Sequence, residues 1–182
     1  MIWVLATGLG LVAGLATGGR LDNLARLRFR WPAAALAAVV VREAVLFTPL
    51  NRVDGAQWLY AAALAVIVLW TVWHFDRVRG VWLVTPGGAM NLLVILSNGG
   101  RMPVAAALAG TLVQQGQIGQ YTLMGSHSHL GFLADWISVP ATGGAYSPGD
   151  LVIAAGLALV AFLGVRRTME PVPDSPIVID PP

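Results

Sequence analysis

Ser97-Asn98-Gly99-Gly100-Arg101-Met102-Pro103 is the stretch on which the reading of this chain turns. It ends an apolar segment, Val81 to Leu96, that is otherwise long enough to cross a bilayer. Two glycines free the backbone, and Pro103 opens a new apolar run, Val104 to Val113. Upstream lie hydrophobic segments with short loops. Downstream, as far as Gly149, lies the one sizeable stretch outside such segments.

The composition around this break is that of a membrane protein. Of 182 residues, 57% are hydrophobic and only 11% charged, with a mean hydropathy of +0.71, where a soluble domain carries about 25% charged residues. All 11 basic residues are arginine. A net charge of +2, with most arginines in loops, makes no case for nucleic acid and marks them as topology determinants. The absence of cysteine excludes disulfides, thiolate catalysis and Cys-ligated clusters or haem. Met1-Ile2-Trp3 offers no basic region ahead of the first apolar run, so that run is expected to be a retained span and not a cleaved signal peptide.

Five spans are expected: Ile2 to Gly19, Pro32 to Leu50, Ala56 to Phe75, Val81 to Leu96 and Leu151 to Val165. Ala6, Gly10, Gly14 and Gly18 recur every fourth residue and form a face for close helix packing. Pro32 fits the first turn of the second span. Pro86-Gly87-Gly88 loosens the start of the fourth, and Asp150 stands where an N-cap belongs before the last. The loops on one side would hold Arg20, Arg26, Arg28, Arg30, Arg77, Arg79, Arg166 and Arg167, against Arg52 and Arg101 on the other. Eight against two puts the N-terminus outside and the C-terminus in the cytoplasm. The expected fold is therefore all-α: a five-span transmembrane helix bundle with a short helical or loop cap on the outer face. Its parts are four helices in 1–97, the extracytoplasmic cap in 98–149, the fifth helix in 150–167 and a proline-rich disordered tail in 168–182. In the cap, Pro103 is expected to start a short surface or re-entrant helix.

Three groups of residues could carry chemistry. Arg42 and Glu43 are expected near the centre of the second span, where an unpaired charge is costly, and Asn91 at similar depth is the expected partner. This network could relay protons, line a ligand cavity or hold helices in register. Asn98, Gly99, Gly100 and Arg101 could receive an anion, a lipid headgroup foremost, on successive backbone N–H groups and a guanidinium. Its competitor is a glycine helix cap with no ligand. Asp135 is expected to accept hydrogen bonds from Arg101 or from freed backbone N–H groups. His127 and His129, with Asp135 and Asp150 nearby, are weak candidates for a metal. His74 is expected to donate to a carbonyl or headgroup. No cofactor is predicted, and no Ser-His-Asp order, phosphate loop or dinucleotide fingerprint occurs.

Asn98-Gly99-Gly100-Arg101-Met102-Pro103-Val104, Phe132 to Ile137 with Pro140, and Ser147-Pro148-Gly149-Asp150 resemble the motifs of an uncharacterised family of small bacterial membrane proteins, a domain of unknown function. The resemblance covers most of 1–165 and implies a bacterial cytoplasmic membrane and five spans, with no activity. This chain has Ala134 where members usually have Gly, and its His127-Ser128-His129 stretch is its own. Phe132-Leu133-Ala134-Asp135 also resembles, faintly, the second aspartate motif of lipoprotein signal peptidases, which use two aspartates at the outer membrane face. There Asp135 would be a catalytic acid and Asp150 the second carboxylate. The reading favoured by the sequence is a non-enzymatic scaffold or accessory subunit, with membrane lipids and other membrane-protein subunits as partners. A lipid- or quinone-binding module and an intramembrane hydrolase are the alternatives.

Overall fold

In a computed structural model, residues 2–110, 119–140 and 142–166 are described. The expected tail in 168–182 and the far end of the run after Pro103 lie outside them. Five α-helices account for just over half of the described residues: α1 (Ile2–Ala16), α2 (Pro32–Phe47), α3 (Ala56–Val72), α4 (Val81–Ser97) and α5 (Pro148–Val165). Pro32 opens α2 as expected, and α2 stops at Phe47 because Pro49 holds Thr48 extended (φ −118°, ψ 166°). Residues 49 to 52 form a 3-10 turn, so the second helix is shorter than its apolar run. α4 is continuous through Pro86-Gly87-Gly88, against the expected loosening.

The helices form a row, with α2 packed on α3, α3 on α4, α4 on α5 and α5 on α1. Among the described residues no comparable packing joins α1 to α2. Close approach in the row depends on glycine. A Cβ at Gly10 would run into the Ala158 carbonyl of α5, and one at Gly14 would lie 3.0 Å from the Phe162 carbonyl oxygen. The small-residue face of α1 is thus a packing seam against α5, which runs parallel to it. Gly87 and Gly149 bring α4 and α5 equally close, a Cβ at Gly87 falling 2.6 Å from the Gly149 carbonyl oxygen.

At the end of the bundle away from the cap, α5 finishes against the loop after α1. Arg20 N–H (2.8 Å) and Asn23 Nδ2 (2.6 Å) both donate to the Val165 carbonyl, satisfying an orphan acceptor of the last turn. His74 is fully buried there. Its Nε2 accepts from the Arg30 N–H at 2.8 Å, so Nδ1 carries the proton and donates to the Trp70 carbonyl at 2.7 Å. Its ring lies against Trp70, tilted by 31° with centroids 4.0 Å apart. The loops after α1 and α3 and the end of α5 gather Arg20, Arg26, Arg28, Arg30, Arg77, Arg79 and Arg166 at this one end.

The opposite end carries the cap. Met102 to Val104 form β1, which pairs in parallel with β2 (Tyr121–Leu123), and Val104 bridges Asp135 on its other side. β3 (Ile137–Val139) and β4 (Gly144–Tyr146) make an antiparallel hairpin that leads into α5. The expected helix from Pro103 does not form. Pro103 disfavours the α region at Met102, and the β-branched Val104 completes a strand that is buried along its length. Core residues Val45, Tyr60, Leu64, Val94 and Ile95 pack beneath Met102 and Ala134, so cap and bundle share one core.

The fold is mostly helical, as expected, but the helices do not form five full-length spans. Among the described residues α5, 18 residues long with hydropathy 2.0, is the one helix long and apolar enough to cross a membrane. α1, α3 and α4 are apolar but shorter, at 15, 17 and 17 residues. Their outward faces expose large apolar side chains, among them Val4, Leu9, Val12, Leu69, Leu93 and Leu96, and Leu36 and Val40 do the same on α2.

Candidate functional site

Directly beneath the cap, all five helices and the cap surround a cavity of about 440 Å³. Most of its polar groups lie within about two turns of the cap-side helix ends: Trp3 on α1, Arg42 and Glu43 on α2, Tyr60 on α3, Asn91 on α4 and Asp150 on α5, with Thr71 the exception at the far end of α3. The cap adds Met102, Tyr121, Asp135 and Tyr146 as a roof. Away from the cap the walls become apolar, with Leu64, Ile67, Val68, Ile153 and Leu157. The volume falls in the range of small-molecule sites, roughly 300–1,000 Å³.

Asn91 has a different partner from the one expected. Its Nδ2 donates to Asp150 Oδ1 at 2.8 Å and its Oδ1 accepts from Ser147 Oγ at 2.7 Å, with no bond to Arg42 or Glu43. Asp150 is not the N-cap of α5. Ser147 is, and Asp150 is the N3 residue of a reciprocal capping box. The Asp150 N–H donates to Ser147 Oγ (3.0 Å) and the Ser147 N–H to Asp150 Oδ2 (3.2 Å). Both carboxylate oxygens of Asp150 are therefore engaged, and the triad locks α4 to the start of α5.

Arg42 and Glu43 pair with each other at 3.2 Å. Arg42 Nε also donates to Tyr60 Oη at 3.2 Å, and its guanidinium lies over the rings of Trp3 (4.8 Å) and Tyr60 (5.5 Å). The Arg42 side chain is only 16% exposed, against 40% for Glu43. Sequence reasoning placed these charges near mid-helix; because α2 ends at Phe47, they sit near its cap-side end instead.

Asp135 is held by its backbone. Its N–H donates to the Pro103 carbonyl (3.0 Å), and its own carbonyl accepts from the Ala105 N–H (2.9 Å), tying the two ends of the cap together. The side chain does not pair with Arg101. It is 6% exposed, and its Oδ1 is buried with no partner. Burial, and then the charge of Asp150, push its pKa up to about 8. Burial likewise raises that of Tyr121 on β2. Trp3 Nε1 is a second buried atom without a partner on the cavity wall.

The Gly-Gly break does not form an anion site. Gly99 (φ 66°) and Gly100 (φ 84°) are in the left-handed region that glycine tolerates, and they terminate α4. The Gly100 N–H donates to the Ile95 carbonyl (2.9 Å) and the Arg101 N–H to the Asn98 carbonyl (3.3 Å), so those donors are consumed by the helix end. Arg101 Nε donates to the Gly119 carbonyl (3.2 Å). Asn98 clamps the loop after β2, its Nδ2 donating to the His129 carbonyl and its Oδ1 accepting from the His129 N–H, both at 2.9 Å. His127 and His129 are exposed in that loop. Among the described residues no three His, Asp or Glu side chains gather as a metal set.

The fold and site define a class: a small helical bundle with a β-strand cap roofing a part-polar internal cavity. The chain belongs to the family of unknown function DUF5317, whose match covers residues 26–162. No curated protein and no solved structure matches it. The matched region takes in α2, α3, α4, the cap and nearly all of α5, and so every cavity-lining residue except Trp3. Tyr60, Tyr121 and Ser147 are site residues that sequence reasoning missed. Only Ser147 had a signal, the Ser-x-x-acid spacing of a capping box.

Proposed function

We propose that this protein is an integral membrane protein that binds an amphipathic ligand in the cavity beneath an outer cap, as a binding module and not a hydrolase. The cavity carries the proposal. It has a hydrogen-bonding head, apolar walls, and two buried polar atoms, Trp3 Nε1 and Asp135 Oδ1, that no protein group satisfies. Buried polar atoms are normally paired, and a scaffold's interior would be filled with side chains to native density. The hydrolase reading needs a second free carboxylate beside Asp135, and both oxygens of Asp150 are bound.

Placement in a membrane is supported by the apolar side chains exposed on the outward faces of α1 to α4, a surface too extensive for an aqueous monomer. It is also supported by the arginines gathered at the end away from the cap. That end faces the cytoplasm by the positive-inside rule, which puts the cap and cavity at the outer leaflet. α1 and α2 meet through Trp3 and Arg42 but lack the packing that joins the other neighbours in the row, and this is the side from which a ligand would enter from the lipid.

Native mass spectrometry of the protein, released from neutral detergent or nanodiscs, tests the reading. Wild type is expected to carry a bound small molecule, and Ile67→Trp, which fills the cavity wall, is expected to lose it while staying folded. A bare wild-type protein from both preparations would overturn the proposal.

A further inference from the structure

The head of the cavity has an unbalanced set of charges. α2 supplies Arg42 and Glu43, α5 supplies Asp150, and the cap supplies Asp135. Tyr60 of α3, Tyr121 of β2 and Tyr146 of β4 are the other titratable groups facing it; α1 and α4 contribute the uncharged Trp3 and Asn91. One guanidinium thus stands against three carboxylates, and Glu43 already takes that guanidinium at 3.2 Å. Asp150 is held by Asn91 and the capping box, which supply hydrogen bonds but no positive charge. Asp135 Oδ1 is left buried, 6% exposed as a residue, with no donor. The rings of Tyr121 and Tyr146 line the same cavity, whereas those of Trp3 and Tyr60 already face the Arg42 guanidinium.

We propose, resting on the cavity reading above, that the ligand is a cationic amphiphile whose ammonium head docks on Asp135, with Tyr121 and Tyr146 as aromatic neighbours in the cavity, and whose chain lies along Ile67, Val68, Ile153 and Leu157. A buried carboxylate without a partner is most readily satisfied by a cation, and aromatic faces add attraction to a quaternary or primary ammonium. An anionic head would find the one guanidinium already engaged by Glu43 and would lie in the field of the Asp150 carboxylate. Burial raises the pKa of Asp135 to about 8, so its oxygen holds a proton far more readily than an ordinary carboxylate. The cation and the proton then compete for the same oxygen. Such an ammonium could belong to an aminophospholipid or to a free single-chain amine.

Isothermal titration in maltoside micelles, with dodecyltrimethylammonium, dodecanol and dodecanoate as probes of equal chain length, tests this. The cation is expected to bind at least tenfold more tightly than the alcohol and the carboxylate. Below pH 8 its affinity is expected to fall by about tenfold per pH unit, as one proton competes for one site. Asp135→Asn keeps the backbone bonds to Pro103 and Ala105, and is expected to weaken cation binding at least tenfold and abolish its pH dependence. The wild-type pH series is an independent readout should that variant fold poorly. Nanodiscs containing phosphatidylethanolamine and phosphatidylglycerol distinguish the sources. Retained phosphatidylethanolamine identifies the lipid, and its absence alongside dodecyltrimethylammonium binding identifies a free amine. Equal binding of cation and alcohol, preference for dodecanoate, or cation binding indifferent to pH would overturn the cationic head while leaving the cavity reading standing, provided Ile67→Trp blocks that binding. Failure of all three probes to bind would remove both.

Discussion

Asn91→Ala is the most demanding test of the polar lock between α4 and α5. The side chain donates to one carboxylate oxygen of Asp150 at 2.8 Å and accepts from the Ser147 hydroxyl at 2.7 Å, and all three residues are buried. A hydrogen bond to a charged group contributes about 1.5–3 kcal/mol and a neutral one about 0.5–1.5 kcal/mol, so truncation should cost about 3 kcal/mol. For a chain of this size each kcal/mol moves Tm by about 2–4 °C, which gives a fall of about 6–12 °C. The assay is thermal unfolding of purified protein in neutral detergent. A double-mutant cycle with Asp150→Ala should return a coupling above about 1 kcal/mol, because the residues are in direct contact. A Tm within about 3 °C of wild type, or additive effects in the cycle, would refute the reasoning and show that water satisfies Asp150.

Three further outcomes follow from single sites. Asp135 has a folded pKa of about 8, above its unfolded value of about 3.9, so the native state binds the extra proton between those values. Stability is then fully present below about pH 4 and lost as pH rises through 8, and Asp135→Asn should raise Tm at pH 8 by far more than at pH 5. Arg42→Ala leaves Tyr60 and the partly exposed Glu43 without their partner and should cost about 1.5–3 kcal/mol in thermal unfolding, whereas Arg52→Ala, in the 3-10 turn after α2, should cost little. In the cysteine-free background, His127→Cys should react with an impermeant thiol reagent in intact cells and Arg28→Cys should not; the reverse pattern would invert the topology.

The helices were legible because long apolar runs bounded by glycine, proline and arginine leave few alternatives. Their lengths were overestimated where the apolar run outlasted the helix, as at Thr48-Pro49, where the proline ended α2 inside a hydrophobic stretch. The cap was not legible. Its strands are three residues long, too short for an alternation to register, and Pro103 reads equally as a helix start until the partner strand 18 residues on is known. Of the site, Arg42, Glu43, Asn91, Asp135 and Asp150 were visible as polar residues in costly surroundings, but their pairing was not. Asn91 bonds a carboxylate 59 residues away, and nothing local distinguishes that partner from Arg42. Tyr60 sits in an apolar run near the start of α3, and only the packing of α2 on α3 turns its hydroxyl to Arg42.

An experimental density map of the protein in lipid nanodiscs tests the central claim most directly. The account predicts ordered non-protein density in the cavity, its head within hydrogen-bond or ion-pair distance of Asp135 and its chain running past Ile67 and Ile153. A cavity closed by its own side chains, with Asp135 Oδ1 and Trp3 Nε1 bonded to protein groups and no density between them, would contradict it.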